Sequence, residues 1–427
     1  MKLVCLLRDL AWTIGCAVCL GVGWNGHSQS LDDAFGAVPN GPVSTIALQP
    51  DGKIVVGGFF TSINGAARSY VARLNANGSL DNSFARANGP SQYVSRIVVR
   101  DSKIYVAAGD GLRRFDMSGA LEWVYPIAVP VFDVDSQQRV IFGGQFTRIE
   151  EQFHRNIARL NANGALDANF SAAIGCCAGE GVSAVLSQGD TILVGGFFQS
   201  VNGSAAAHLA RLRSDGLTDG DFVGAADPNV LSLAATPDGK VLRASQQTLA
   251  RHLGDGSLDP AFATVAAGGS ADDRFVAVAL QPDGQAIVGG NFTFDGGVTR
   301  RYVARVTQSG TVDPSFVLQP NDTVAAIAVQ PDGAILLGGN FTMVNGVSRN
   351  GLVRISANSP ALDISAAVGG KVVLSWSAAI ANATLESCAL NDTTWSSMTA
   401  APVVMNGRSY VTNSATGVGR LYRLRTQ

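Results

Sequence analysis

The 427-residue sequence has few of the features that catalysis or nucleic-acid binding requires. Only four histidines are present, and none falls in a metal-ligand pattern such as H-E-x-x-H. Charged residues make up 15% of the chain and the formal net charge is −2, with no basic run that could follow a phosphate backbone. Nucleophile-elbow, phosphate-loop, EF-hand and CxxC patterns are also missing. We therefore expect no catalytic residue, no cofactor, no metal and no nucleic-acid partner.

Cysteine is scarce as well, with six residues in the whole chain. Three of them lie within the first 20 residues, and Cys176, Cys177 and Cys388 follow. Three cysteines do not make a disulfide framework. The adjacent Cys176 and Cys177 could form a vicinal disulfide in an oxidising compartment, or be ordinary loop residues.

Residues 1–30 have the layout of a signal peptide. Lys2 and Arg8 precede an uncharged apolar run from Leu10 to Trp24, which small polar residues follow. The run is about 15 residues long, whereas a spanning helix needs roughly 20. The segment predicts export to the periplasm, the cell surface or the medium, with no membrane span after cleavage. An uncleaved anchor is the alternative.

Glycine, in contrast, is abundant, and much of it belongs to one repeated motif. The motif begins with an arginine in seven copies, at Arg73, Arg114, Arg159, Arg211, Arg251, Arg305 and Arg354. In the first six copies a glycine follows five residues later, at Gly78, Gly119, Gly164, Gly216, Gly256 and Gly310. An acidic residue follows eight residues after the arginine, at Asp81, Glu122, Asp167, Asp219, Asp259 and Asp313. An aromatic residue comes three positions later, at Phe84, Tyr125, Phe170, Phe222, Phe262 and Phe316.

This spacing predicts a β-hairpin with a three-residue loop. Glycine takes the left-handed position of such a loop, so that residue 75 pairs with 79 and Arg73 faces Asp81. A pair of this kind on the surface contributes about 0 to 1 kcal/mol. We therefore interpret the repeated pairs as structural, among them Arg73 with Asp81, Arg159 with Asp167 and Arg305 with Asp313.

The seventh copy is incomplete, and its missing part occurs at the other end of the repeats. Arg354 has no matching hairpin after it, but residues 31–35 contain Asp32 and Phe35 at the spacing of the motif. A ring of sheets explains both observations, because the N-terminal strand can complete the last sheet opposite Arg354. An open solenoid would need capping repeats instead. The sequence thus predicts an all-β fold with a seven-bladed β-propeller over residues 31–358, closed by an N-terminal outer strand.

The phrase "ALQPDGKIVVGGFFTSINGAARSYVARLNANGSLD" resembles the delta-60 repeat family of bacterial exported β-propellers. Paired glycines such as Gly57-Gly58 recur in five copies, whereas copies two and five lack them and lack the long loop that follows. The resemblance implies an exported propeller, and the family has no assigned catalytic residues to transfer. After a linker, residues 361–427 resemble the fibronectin-III or immunoglobulin-like β-sandwich found at the end of bacterial surface proteins.

Loop lengths indicate which face of the propeller varies. The connections after the second strand and between blades differ in length, while the Pro-Asp-Gly turns and the hairpins are uniform. Function usually resides on loops that a rigid scaffold holds, so the variable face is the candidate binding face. Its aperiodic polar residues are the candidates: Glu150, Glu151, His154, Cys176, Cys177, Glu180, Asp272 and Asp273. Solvated charged loops are the plainer interpretation of the same residues.

Three functions are compatible with these observations. The first is an exported, non-catalytic propeller that binds a protein or glycan of the cell envelope. The second is a propeller hydrolase or lyase with a divalent metal ion at the channel mouth. The third is a purely structural surface module. Propellers serve many functions, so the fold does not choose among them.

Overall fold

The computed structural model describes residues 30–84, 89–175, 181–224, 229–270, 272–294 and 299–356. Further on, it describes 363–367, 371–377, 384–389, 396–398, 400–405, 408–414 and 420–425. The predicted signal peptide up to residue 29, and with it Cys176, Cys177 and Glu180, lie outside these ranges. In the described part every regular element is a β-strand. None of it forms a helix with the length and hydropathy needed to cross a membrane.

The chain divides into two compact units, of which the larger is Gly26–Ile355 and the smaller contains Ser356–Gln427. The first strands of the larger unit are β1 (Val43–Leu48), β2 (Ile54–Gly58), β3 (Ser62–Ile63), β4 (Ala66–Ala67), β5 (Val71–Leu74), β6 (Val94–Arg100), β7 (Lys103–Ala108), β8 (Gly111–Asp116), β9 (Leu121–Tyr125), β10 (Val131–Val134), β11 (Val140–Gly143), β12 (Arg148–Ile149), β13 (Gln152–Phe153) and β14 (Ile157–Leu160). The remaining strands are β15 (Gly181–Gln188), β16 (Thr191–Phe197), β17 (Ser200–Val201), β18 (Ser204–Ala205), β19 (Leu209–Arg213), β20 (Val230–Ala235), β21 (Val241–Ser245), β22 (Thr248–His252), β23 (Val265–Ala266), β24 (Arg274–Leu280), β25 (Ala286–Phe294), β26 (Arg300–Val306), β27 (Val324–Val329), β28 (Ile335–Gly339), β29 (Met343–Val344), β30 (Val347–Ser348) and β31 (Leu352–Ile355).

These strands form successive antiparallel sheets of three or four strands, which we number sheet 1 to sheet 7. Their strand orders are β1-β2-β5, β6-β7-β8-β9, β10-β11-β14, β15-β16-β19, β20-β21-β22-β23, β24-β25-β26 and β27-β28-β31. Four short hairpins, β3-β4, β12-β13, β17-β18 and β29-β30, project from the long loops after the second strand. The first strand of each sheet contacts the first strand of the next, and β27 contacts β1.

The burial pattern explains why the second strand of a sheet is apolar without alternation. β2 and β28 are buried at every residue, whereas β1 alternates between buried and half-buried residues. A strand covered by neighbouring sheets on both faces has no solvent side, so it needs no polar residues. The cores consequently lie between sheets, and one cluster joins Val43 and Val56 of sheet 1 to Leu336 of sheet 7.

The paired glycines permit this close packing. A Cβ at Gly57 would lie 2.4 Å from Val94 at the start of the next sheet. Gly143, Gly195, Gly289 and Gly338 meet Val182, Val230, Val324 and Val43 in the same manner. Each second strand therefore ends beside the beginning of the next first strand, which gives consecutive sheets the same orientation. We call this end of the larger unit the glycine end, and the opposite end, with the first turns and the arginine hairpins, the turn end.

The smaller unit contains two further sheets. Its strands are β32 (Asp363–Ala367), β33 (Lys371–Ser377), β34 (Thr384–Ala389), β35 (Ser396–Ser397), β36 (Val403–Met405), β37 (Arg408–Ser414) and β38 (Arg420–Arg425). They are ordered β32-β33-β37-β36 and β35-β34-β38. Asn413 Nδ2 of one sheet donates a hydrogen bond to Tyr422 Oη of the other, 3.0 Å away. Cys388 is a buried free thiol.

Candidate binding site

The repeated arginine at the turn end joins two sheets. Arg73 Nε donates to Asp81 Oδ2 at 2.8 Å, across the hairpin that the spacing predicted. Its guanidinium also lies 4.9 Å from the centre of the Phe84 ring, a cation–π contact. The Nη1 atom then donates to the carbonyl oxygen of Met117, in the hairpin loop of sheet 2. One side chain thus fixes its own hairpin and holds the neighbouring one.

The other copies repeat this arrangement. Each described arginine binds its acidic partner, including Arg159 with Asp167 and Arg305 with Asp313. The Nη1 atoms of Arg114, Arg159, Arg211 and Arg251 donate to the next hairpin at Ala162, Ser214, Gly254 and Gln308. Copy two departs from the predicted motif, because the ring over Arg114 belongs to Trp123 and not to Tyr125. A bulge between β8 and β9 shifts the register there.

The N-terminal segment supplies the partners that the seventh copy lacks. Arg354 Nε donates to Asp32 Oδ2 at 2.7 Å, and its guanidinium lies 4.7 Å from the Phe35 ring centre. Asp32 N donates to Arg354 O at 2.9 Å, and Leu31 forms a β-bridge with Ile355. Arg354 Nη1 donates to Ala76 O in the hairpin loop of sheet 1.

The arginine pairs are more buried than surface ion pairs. The Arg73 side chain is 2% exposed, and those of Arg159 and Asp167 are 4% and 6% exposed. The surface estimate of 0 to 1 kcal/mol therefore does not apply, because removal of one partner of a buried pair costs about 3 to 5 kcal/mol. Burial alone would raise the pKa of Asp81, but hydrogen bonds from Ser83, Lys53 and Arg73 outweigh it and hold the pKa well below its usual value.

A cavity of about 840 Å³ opens at the turn end. First-turn residues of five sheets line it, among them Gln49, Gln281 and Gln330. Two of the cationic side chains that line the cavity already have an acidic partner. Lys240 and Arg251 both bind Asp259, at 3.1 and 2.7 Å. No aromatic side chain lines this cavity in the described part of the chain.

At the glycine end, one position of the repeat points to solvent in six of the seven sheets. It is the residue directly after the paired glycines, or its equivalent in sheets 2 and 5. The following residue is buried, as with Phe60, Phe198, Phe292 and Phe341, because successive side chains of a strand point to opposite faces. The six exposed positions are Phe59, Gln145, Phe197, Gln246, Asn291 and Asn340, and the equivalent in sheet 2 is the half-buried Gly109.

Two of these positions present aromatic rings. Phe59 is 54% exposed and stacks on Tyr93, 43% exposed, with ring centres 4.7 Å apart and planes inclined by 7°. Phe197 is 46% exposed and stacks on His208 at 5.6 Å. Phe197 also lines a cavity of about 640 Å³ with Gln145, Ser183 and Asn229.

A half-buried carboxylate supports the segment that presents Tyr93. Asp110 accepts hydrogen bonds from the backbone and hydroxyl of Ser91 at 2.7 and 2.6 Å, and from Arg113 at 2.8 Å. Burial would raise the pKa of Asp110, yet the hydrogen bonds from Arg113 and Ser91 lower it to about 2. The segment before β6 is therefore fixed by charge-assisted bonds.

The structure distributes the predicted candidates over separate elements. Glu150 and Glu151 form the exposed turn between β12 and β13, and both have positive φ. His154 is buried just after that hairpin, and burial lowers its pKa although Glu150 opposes the shift. Asp273 is buried and accepts a hydrogen bond from Ser270 N within its own loop.

Among the described candidates, Asp272 lies beside one of the exposed positions, since its carbonyl oxygen accepts a bond from Asn291 Nδ2 at 3.4 Å. Among the described residues, no three His, Cys, Asp or Glu side chains are grouped closely enough to hold a metal ion. The exposed aromatics escaped the sequence reasoning, which looked for charge. Alignment of the residue after each Gly-Gly pair would have found them.

Comparison with known proteins agrees with the repeated sheets. The family described as "Domain of unknown function (DUF5122) beta-propeller" matches residues 49–84, 139–170, 188–222, 281–316 and 330–359. These segments belong to the five sheets with paired glycines. No curated protein matches the chain.

Several solved structures resemble the chain at low sequence identity. Streptogramin B lyase has a TM-score of 0.50 at 12% identity, over 77% of this chain and 100% of the lyase. The extracellular domain of BT4673 from B. thetaiotaomicron has a TM-score of 0.48 at 13% identity, over 82% of this chain. The match covers 44% of that domain, so the chain spans less than half of its length. BamB from Moraxella catarrhalis has a TM-score of 0.45 at 14% identity, over 73% of this chain and 84% of BamB. Together with the recurring sheets, the five matched segments show an all-β protein with β-propeller-like repeats.

Proposed function

We propose that the chain is an exported binding protein without catalytic activity, whose closed seven-bladed propeller presents its glycine end to a protein or glycan of the cell envelope. The arrangement of N-terminal residues 1–30 supports export. The exposed ring of aromatic and amide positions at the glycine end carries the proposal. Soluble proteins seldom leave neighbouring large apolar side chains exposed unless the surface binds something.

Three contacts between the first and last sheets support a closed ring. Arg354 reaches Asp32 and Ala76, Gly338 packs against Val43, and β27 lies beside β1. An open array would instead leave the Val43 side of sheet 1 uncovered. We propose that residues 31–35 complete the seventh blade as its outer strand.

The smaller unit fits an accessory domain of a cell-surface protein. Its two antiparallel sheets of four and three strands match the strand numbers of a fibronectin-III or immunoglobulin-like sandwich. Buried Leu374 and Val411 come from one sheet, and Leu385 and Tyr422 from the other. We propose that this unit is such a sandwich and that it accompanies the propeller at the cell surface.

A pull-down with matched variants tests the proposed face. The purified full-length protein is immobilised and exposed to envelope extract of the producing bacterium, and bound material is quantified by mass spectrometry and sugar analysis. The glycine-end variant is Phe59→Ser with Tyr93→Ser. The control is Leu217→Ser, an exposed apolar residue of a turn-end hairpin, 43% exposed. We expect the wild type and the control to retain a partner that the glycine-end variant loses. Equal retention by all three proteins would contradict the proposal.

A further inference from the structure

The internal repeats show that the fold does not need aromatic residues at the glycine end. The position of Phe59 and Phe197 is Asn291 in sheet 6 and Asn340 in sheet 7, on the same backbone. A small polar amide therefore satisfies the strand geometry there. Exposed phenylalanine gains little by burial, so its presence in sheets 1 and 4 calls for a ligand.

The polar members of the ring are amides rather than ions. Gln145, Gln246, Asn291 and Asn340 occupy the equivalent positions, and Asn229 lines the cavity beside Phe197. An amide group donates and accepts hydrogen bonds at the same time, which matches a hydroxyl group. Asn229 Oδ1 is inaccessible to solvent and has no hydrogen-bond partner within the described residues.

The cavity at this end is uncharged. The cavity of about 640 Å³ has no ionisable side chain among its described lining residues. Beside Asn291, Asp272 and Asp273 precede Arg274 at the start of β24, and elsewhere at this end Asp110 is paired with Arg113. A charged ligand would lose its hydration there without gaining a counter-ion.

Resting on the proposed function, we infer that the glycine end binds a neutral saccharide chain, with Phe59, Tyr93 and Phe197 against the sugar rings and the amides on the hydroxyl groups. The C–H face of a sugar ring is flat and apolar, so it packs against an exposed aromatic ring. The hydroxyl groups project from the edge of the sugar ring. A pocket of this size is in the range that holds small ligands. A charged peptide would be expected to use charged pockets, and the described residues that line this cavity include no ionisable side chain.

Titration calorimetry of the full-length protein tests the inference. The probes are hexasaccharides of cellulose, starch, β-1,3-glucan and chitin type, with oligogalacturonate as the acidic comparison and an envelope-protein digest as the peptide comparison. We expect at least one neutral hexasaccharide to bind with Kd at or below about 1 mM. Its Kd should be the same at about 50 and about 500 mM NaCl, because no ion pair forms.

Matched variants locate the site. Phe59→Ser with Tyr93→Ser should raise Kd at least about tenfold, Phe59→Tyr should keep binding, and Leu217→Ser should leave it unchanged. Circular dichroism and unfolding curves verify that each variant is folded.

Two results would overturn the inference: binding of the acidic or peptide probe alone, with loss at high salt, or no binding of any neutral hexasaccharide at about 10 mM. If the envelope pull-down still depends on Phe59 and Tyr93 in that case, the proposed function stands and only the ligand class is wrong. If the pull-down also fails, both are wrong.

Discussion

The two ends of the larger unit use the same repeat in opposite ways. At the turn end the repeat places a charged side chain in each sheet. Arg73 and its equivalents use their donors for contacts within and between sheets. At the glycine end the repeated position is exposed in six of the seven sheets, where its residue varies between Phe, Gln and Asn. The difference teaches that invariance across the internal copies marks residues the fold needs, whereas an exposed position that varies is available for binding.

The largest effect should follow from breaking the turn end. Arg73→Met should lower the free energy of unfolding by about 3 kcal/mol, the low end of the range for a buried pair, because Asp81 keeps its bonds to Lys53 and Ser83. Arg305→Met should cost less, since the Arg305 side chain is 18% exposed. Urea unfolding monitored by tryptophan fluorescence measures both. Equal losses in the two variants would contradict the role of burial.

Acidification should lower the free energy of unfolding, because it protonates carboxylates whose pKa values are lowered in the folded protein. The pKa values of Asp110 and Asp259 are lowered to about 2 in the folded protein. A depressed folded pKa gives stability that is complete above the unfolded pKa of about 4 and is lost as the pH falls toward about 2. For Asp110 the loss should be roughly 1 to 2 kcal/mol after allowance for solvent screening.

Unfolding curves between pH 7 and pH 2 check this expectation. Asp110→Asn should remove part of the dependence between pH 4 and pH 2 and leave a lower, flatter curve. A wild-type stability that rises on acidification in this range would show that the pairs do not stabilise the fold.

A smaller effect, this time a gain in the free energy of unfolding, is expected from substitutions in the β12-β13 turn. Glu150 and Glu151 both have positive φ, whereas the other three short hairpins have Asn-Gly at these positions. Glu150→Asn with Glu151→Gly should therefore raise the free energy of unfolding by about 1 to 2 kcal/mol. Thermal unfolding measures the gain, and Asn202→Glu with Gly203→Glu should give the opposite change. Unchanged stability in both variants would mean that the turn backbone is not strained.

The smallest effect is expected at the exposed ring. Phe197→Asn introduces the residue of sheets 6 and 7 and should change the free energy of unfolding by about 0.5 kcal/mol or less. Phe198→Ala, one residue further, should cost about 3 to 5 kcal/mol because Phe198 is fully buried. Denaturant unfolding of this pair checks the assignment of the two faces. A large loss for Phe197→Asn would give Phe197 a structural role.

Much of the fold could be predicted because its signals are local. The five-residue spacing from Arg73 to Gly78 determines the hairpin, and Gly78 indeed has φ of +84°. The candidate site could be predicted only in part. Glu150, Glu151 and His154 attracted attention because they are charged or titratable, but the backbone turn and burial explain them better. Phe59 and Phe197 looked like ordinary core residues, since their exposure depends on neighbouring sheets.

By itself, the sequence determined the repeat, the pairing of each arginine with its acid and the place of Asp32 in the motif, because a glycine in the left-handed region and the two-residue period of a strand act over a few residues. Only the tertiary structure decided that these arginines are buried between sheets, that their Nη1 atoms hold the next hairpin, and that Phe59, Tyr93 and Phe197 are exposed. Those properties arise from packing between sheets, where side chains far apart in sequence remove each other from water.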